Sequence, residues 1–390
     1  MALPQQETKD IVSAKVLKQL SNTQYACSSL EQLSTRPGNF VYRGVLSQPF
    51  TTQDGTIATR IIIKHSTETM ITGQDNLRNA MRCSFEQLLF DSVATFSPAV
   101  TTATLLRAPR VYFYNQETNT QIFEDFFDTA MFKPMLFSKN AATLFSESSL
   151  VSIGRNLGFW LRSFHTWATA PEQASLRAEM LHDDPMRELK HRLTYSGFLE
   201  VLENYPELLH SHRATLESIR DTMTEEFKTP PTVERENWGL IHGDFWPGNV
   251  LLPVTGWKED PTSDAPNEIF VIDWEFAQFG HRCYDVGQML GDLYERKVYN
   301  NVDNSMPVMV GVIEGYGKLS DEMAYRIAMH IGVHLINWHS RRPQQGPWVA
   351  SQESIISGLS LGRDFILKAW AKDRKFFEGT SLASLFTQST

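Results

Sequence analysis

Apolar positions recur at helical spacing from residue 8 to 33, where Ile11, Val12, Val16, Leu17 and Leu20 share one stripe. The period then shortens to that of extended chain. Phe40-Val41-Tyr42-Arg43-Gly44-Val45-Leu46 and Thr59-Arg60-Ile61-Ile62-Ile63-Lys64 read as two strands, joined across the turn signal Gln53-Asp54-Gly55. Helical spacing returns over 75–93 with Met81, Phe85, Leu88 and Leu89. A further strand pair follows at Val111-Tyr112-Phe113-Tyr114 and Thr120-Gln121-Ile122-Phe123. Beyond Glu124-Asp125-Phe126 the pattern is mostly helical. Ile153, Leu157, Leu161 and Phe164 form one stripe, and 175–228 reads as two or three charged helices ended by Pro230-Pro231. A short β region spans Gly239 to Ile272 and carries a Pro/Asp/Ser-rich loop at 256–267. Helices resume from Asp285 to Lys372, and the last ten residues read as a loose tail. The expected class is α+β, with a small sheet-and-helix lobe over residues 1–124 and a larger, mostly helical lobe over 125–390.

Composition narrows the partners. The chain has 390 residues, 42% hydrophobic and 21% charged, enough for two lobes of ordinary globular character. A net charge of −9 speaks against nucleic acid or an anionic membrane as the main partner. It does not speak against a nucleotide, which needs only local positive groups and a metal ion. Cys27, Cys83 and Cys283 are widely spaced and form no CxxC pair, so reduced thiols are expected. No apolar run reaches the length of a membrane span, and the segment Met1–Glu7 lacks a signal-type apolar core. The expected location is cytoplasmic. Monomer and homodimer both stay open.

Two segments carry chemistry. The first is Leu240-Ile241-His242-Gly243-Asp244-Phe245-Trp246-Pro247-Gly248-Asn249-Val250-Leu251-Leu252, and the second is Phe270-Val271-Ile272-Asp273-Trp274-Glu275-Phe276. In both, polar groups interrupt runs that read as buried strand, where they cost stability unless something satisfies them. Phosphoryl transfer needs a group to take the proton of the attacking hydroxyl, oxygen ligands for Mg²⁺, and a cation on the phosphates. Asp244 suits the first role. Asn249 and Asp273 offer the hard oxygens that Mg²⁺ takes. Lys64, at a strand end, suits the third, with Glu86 on the next helix to hold it.

His-Gly-Asp-x-x-x-x-Asn followed by a hairpin and Ile-Asp-x-Glu resembles the aminoglycoside phosphotransferase and choline kinase superfamily. The continuation Asp273-Trp274-Glu275-Phe276-Ala277-Gln278-Phe279-Gly280, then Tyr284-Asp285-Val286-Gly287, is similar to methylthioribose-kinase-like members. The resemblance implies a two-lobed, protein-kinase-like fold with ATP in the cleft and a small-molecule alcohol as acceptor. It implies Asp244 as the catalytic-loop aspartate, Asn249 and Asp273 as Mg²⁺ ligands, and Lys64 and Glu86 as the lysine–glutamate pair. It implies Glu124-Asp125-Phe126 as the hinge, with the Glu124 carbonyl and the Phe126 N–H reading adenine. Asp285 is implied as a structural brace. Pro37-Gly38-Asn39-Phe40-Val41-Tyr42-Arg43-Gly44 stands where a glycine-rich loop would be, with two glycines where the G-x-G-x-x-G pattern has three. Gly38 and Asn39 are its nucleotide candidates.

Trp246 and Glu275 flank the catalytic residues and are candidate acceptor neighbours. Trp338, Arg341 and Arg342 end an apolar helix. They read either as a charged helix terminus or as an acceptor wall, and a paired arginine in methylthioribose kinases supports the wall. His330 and His334 share a helix face but lack the glutamate of a zinc hydrolase, so packing is expected of them. Two alternatives accompany the kinase reading: a pseudokinase that binds nucleotide or a partner without turnover, and a protein kinase, which the missing H-R-D and D-F-G segments disfavour. The acceptor's identity stays open.

Overall fold

A computed structural model of the chain describes residues 5–34, 39–66, 76–96, 103–231, 237–262 and 265–387. The fold is α+β. The chain divides into one unit of Met1–Ala94 with Ala108–Asp128, and a second of Thr95–Arg107 with Thr129–Thr390.

The first unit is an antiparallel sheet with a helix on each side of β3 in sequence. Strands β1 (Cys27–Ser34), β2 (Asn39–Thr51) and β3 (Ile57–Ser66) are followed by β4 (Thr104–Arg107), β5 (Val111–Asn115) and β6 (Thr120–Glu124). The sheet order is β1-β2-β3-β6-β5; β4 belongs elsewhere. The helix Gln5–Leu20 packs Val12, Val16 and Leu20 against Tyr42, Ile61, Ile63 and Ile122. Helical spacing does not continue to residue 33 as the pattern predicts. The Ser21 and Thr23 hydroxyls donate back to the Lys18 and Leu20 carbonyls, both at 2.8 Å, and end the helix. Cys27–Ser34 then forms an edge strand against β2, with Leu30 opposite Gly44. Its mostly polar residues hid the alternation.

The second unit holds two small sheets and most of the helices. In one sheet, β4 lies parallel to β10 (Asn267–Val271), followed by β9 (Val250–Pro253) and β7 (Thr129–Met131). The other pairs β8 (Trp238–Ile241) with β11 (Gln278–His281). The helix Glu147–Trp167 starts at Ser146, whose hydroxyl accepts the Ser149 N–H at 3.0 Å. It crosses Met306–Tyr316 at close range: a Cβ on Gly154 would lie 2.2 Å from the Val308 carbonyl oxygen, so only glycine fits. The helix Asp321–Arg341 is capped by Ser320, with Asp321 and Glu322 in its first turn and Arg341 in its last, matching the helix dipole. Trp160, Phe164, Phe245 and Trp274 build an aromatic core beneath the β8–β11 region. Among the described residues, no helix is long and apolar enough to cross a membrane.

Candidate active site

Strand alternation places Lys64. On β3, Ile61 and Ile63 face the apolar core, so Ile62 and Lys64 face the other side of the sheet. The helix Asn76–Val93 covers that side, with Phe90 edge-on to Phe123 at 5.2 Å. Glu86 of this helix accepts from the Lys64 ammonium through both carboxylate oxygens, at 2.9 and 3.0 Å. Lys64 and Glu86 are 7% and 3% exposed, so the pair is buried. Asn39 opens β2 opposite Ser66, and Gly38 lies outside the described residues. Glu124 ends β6, its N–H donating to the Arg110 carbonyl at 3.0 Å, while Asp125 pairs with Arg43 at 2.9 Å and Phe126 is buried.

In the second unit, β8 delivers the chain into a tight loop. Gly243 sits at φ +78°, and a Cβ there would lie 2.0 Å from the Phe276 carbonyl oxygen, so the turn admits only glycine. The fully buried Asp285 carboxylate braces the loop. It accepts the backbone N–H groups of His242 and Gly243, each at 2.8 Å, and stands 3.1 Å from His165 Nε2. Burial alone would raise its pKa; the hydrogen bonds and the His165 and His242 rings outweigh it and hold the group below the ordinary value. The His242 ring faces the Ile272 carbonyl through Nε2 at 3.1 Å and receives the Asp244 N–H on Nδ1 at 3.2 Å. Those partners fix the neutral tautomer, and burial lowers the ring's pKa accordingly.

Asp244 is held on both oxygens. Oδ2 accepts from Asn249 Nδ2 at 2.9 Å and Trp246 Nε1 at 3.2 Å, and Oδ1 accepts from Gln288 Nε2 at 2.5 Å. Asn249 Nδ2 also donates to the Asp244 carbonyl at 2.9 Å, which turns its side-chain oxygen the other way. The β9–β10 hairpin brings Asn249 and Asp273 to one end: Val250 pairs with Val271, and the Ile272 N–H donates to the Asn249 carbonyl at 2.9 Å. Asp273 has a left-handed backbone, φ +64°, just past β10. Non-glycine residues in that conformation concentrate at functional sites.

A cavity of about 520 Å³ opens beside Asp244, within this unit. Gly243, Asp244 and Gln288 form its base, and the wall combines the helix Asp321–Arg341 with the stretch Asp184–Glu203. That stretch contains a π-turn at Arg192–Ser196. The carbonyls displaced by the turn are not left bare: Asn337 Nδ2 donates to Leu193 and Thr194 at 3.2 and 2.9 Å.

Residues 139–324 match the phosphotransferase enzyme family. The phosphotransferase FrzJ of Cladobotryum sp is 30% identical over 389 residues, covering 97% of each chain. The chain belongs to this family. It is a small-molecule kinase, a phosphotransferase with an alcohol group as acceptor. The 4-hydroxytryptamine kinase of Psilocybe cubensis is 24% identical over 101 residues, 25% of this chain and 27% of that one. A solved amicoumacin kinase, in complex with AMP-PNP and Ca²⁺, aligns with a TM-score of 0.47 at 11% identity, over 93% of this chain and 96% of that one.

Not every candidate reaches the kinase's cavity. Arg341 lines it. Arg342, one position on, does not; its guanidinium donates to the His339 carbonyl. Trp338 is 3% exposed and stacks on Tyr299 at 3.8 Å, inside the helical core. Glu275 is buried and Trp246 half-buried beside the loop, and neither lines the cavity. His330 and His334 do line it, and burial together with nearby cations lowers both pKa values well below the ordinary range, so they are neutral near pH 7.

Sequence reasoning missed Lys190, Gln288 and Lys133. Lys190 donates to the Gly243 carbonyl at 2.7 Å and to Gln288 Oε1, which turns the Gln288 amide nitrogen toward Asp244. Gln288 had a signal: it lies three positions after Asp285 on one helix, hence on the same face. Lys133 contacts Asp292 and Glu295 at 2.7 Å each, and His334 Nε2 lies 3.2 Å from Glu295. Asp292, Glu295 and His334 are close enough to share a metal ion, but the Lys133 ammonium already bridges the two carboxylates.

Proposed function

We propose that this kinase transfers the γ-phosphoryl group of Mg·ATP to a hydroxyl of a small polar acceptor seated in the cavity beside Asp244. The observation that supports it is the fixation of Asp244 by Asn249, Trp246 and Gln288 at the base of that cavity. Three N–H donors keep the carboxylate oriented and leave it able to accept one more hydrogen bond. The acceptor hydroxyl donates there. As its oxygen bonds to the γ-phosphorus, the bond to the β–γ bridging oxygen breaks, ADP leaves, and the proton passes to Asp244.

Asn249 and Asp273, brought to one end of their hairpin, supply an amide oxygen and a carboxylate of the type that suits Mg²⁺. The bound ion would neutralise charge on the phosphates. The N-terminal unit contributes Lys64, held by Glu86, as the phosphate cation, and the Glu124 carbonyl and Phe126 N–H as adenine readers. Gly38 and Asn39 are further nucleotide candidates in this reading. Arg341 contacts the acceptor in this reading; Trp338 and Arg342 do not, and Trp246 acts on it only through its hydrogen bond to Asp244.

The test is ADP release from Mg·ATP across a panel of small alcohols, with Asp244→Asn and Asp273→Asn in parallel. Asp244→Asn should keep nucleotide binding and lose turnover by about 10²-fold or more. Asp273→Asn should also weaken Mg²⁺-dependent binding. Equal turnover by Asp244→Asn and the parent overturns the mechanism, and nucleotide binding with no acceptor turned over would favour the pseudokinase.

A further inference from the structure

The charge lining the cavity does not balance. Lys190, Arg192 and Arg341 are cations, and Asp244 and Glu200 are the carboxylates. Asp244 already accepts from Gln288, Asn249 and Trp246, and in the reading above it takes the acceptor's hydroxyl. That leaves Glu200 against three cations, in a chain whose net charge is −9.

None of the three cations forms an ion pair with a carboxylate among the described residues. Lys190, 4% exposed, donates only to neutral oxygens, the Gly243 carbonyl and Gln288 Oε1. The nearest partner of the Arg341 guanidinium is the His334 carbonyl, 3.5 Å away. Arg341 lines the same cavity as Lys190, His330 and His334. The histidines there add no compensating negative charge. The Asp244 and Asp285 carboxylates act on the Lys190 charge, while Arg192 and Arg341 stand exposed at the cavity with no carboxylate paired to either among the described residues. Guanidinium groups so placed around a concave site favour an anionic ligand.

We propose that the acceptor carries an anionic group, a carboxylate or a phosphate ester, which Arg341 and its neighbouring cations hold while the acceptor hydroxyl faces Asp244. The inference rests on the acceptor-cavity reading and narrows it. An arginine fork suits either group through paired N–H donors. The class differs from the amine named for the Psilocybe kinase.

The test is calorimetric titration of the full chain in Mg·ADP with two sets of twins. One set is gluconate, sorbitol 6-phosphate, sorbitol and 1-amino-1-deoxysorbitol. The other is 4-hydroxyindole-3-acetate, 4-hydroxytryptophol and 4-hydroxytryptamine. In at least one set the anionic member should bind about tenfold more tightly than its neutral twin, and added salt should shrink the gap. Gluconate against sorbitol 6-phosphate separates carboxylate from phosphate. Arg341→Gln should remove the advantage, Arg192→Gln should reduce it, and Arg213→Gln, at a surface arginine outside the cavity, should leave it intact. Neutral or cationic twins binding as tightly overturns the inference and leaves the kinase reading standing. So does a lack of binding by every anionic member at millimolar concentration while Mg·ADP binds. Failure of Mg·ADP itself to bind overturns both.

Discussion

Replacing Asp285 by asparagine removes one acceptor and one charge from a buried junction. In the parent, Oδ1 takes the Gly243 N–H, and Oδ2 takes the His242 N–H and faces His165. In the least costly arrangement the new amide nitrogen replaces Oδ1. The Gly243 N–H then loses its partner, which costs about 1–3 kcal/mol in a buried site. The two remaining bonds lose their ionic character, about 1 kcal/mol more. The sum is about 2–4 kcal/mol, or roughly a 4–8 °C fall in the melting midpoint of a unit this large. The effect has a pH signature. The folded pKa of Asp285 lies below the ordinary 3.8, so the carboxylate's contribution is complete above that value and is lost as pH falls through the folded pKa. Calorimetric melting of parent and Asp285→Asn from pH 7 downward should show midpoints that are well separated and then converge below about pH 4. Equal midpoints at pH 7, or a gap unchanged in acid, would refute the account of Asp285 as the charged brace of the loop.

Gly243→Ala should cost at least as much, because the Cβ meets a backbone carbonyl at 2.0 Å and the residue needs positive φ; turnover should fall with it, read by ADP release beside a melting curve. Lys133→Met should strand the buried Asp292 and Glu295 carboxylates and lower stability by about 3–5 kcal/mol, measured by urea denaturation. A double variant that also replaces Asp292 by asparagine should recover part of that loss.

The loop His242-Gly243-Asp244 was legible because its polar residues interrupt an apolar run directly against the buried strand Trp238–Ile241. The hairpin that places Asn249 and Asp273 together was legible from the same contrast. The helix Asp321–Arg341 was legible as an apolar helix, but it is buried almost all round from Met323 to Trp338. Its periodicity therefore could not say which face meets the cavity. Arg341 is the last helical residue, whereas Arg342 follows it with extended backbone, ψ 144°, and leaves the cavity, and Trp338 turned to Tyr299. Lys190 carried no local signal at all. It sits in a charged stretch like many solvated lysines, and its partners lie 53 and 98 positions away. The helix predicted to residue 33 failed because an edge strand with mostly polar residues shows little alternation.

The parallel pairing of β4 with β10 bears on how the chain is made. Residues 95–107 leave the ribosome between two segments of the first unit but belong to the second. The N-terminal sheet can close over its own strands while this piece is looped out. Thr104–Arg107 must then wait, its backbone N–H and C=O groups unpaired, until Asn267–Val271 emerges. A nascent chain stalled before that point would display an open strand edge, the part of the growing molecule most in need of shielding by a chaperone.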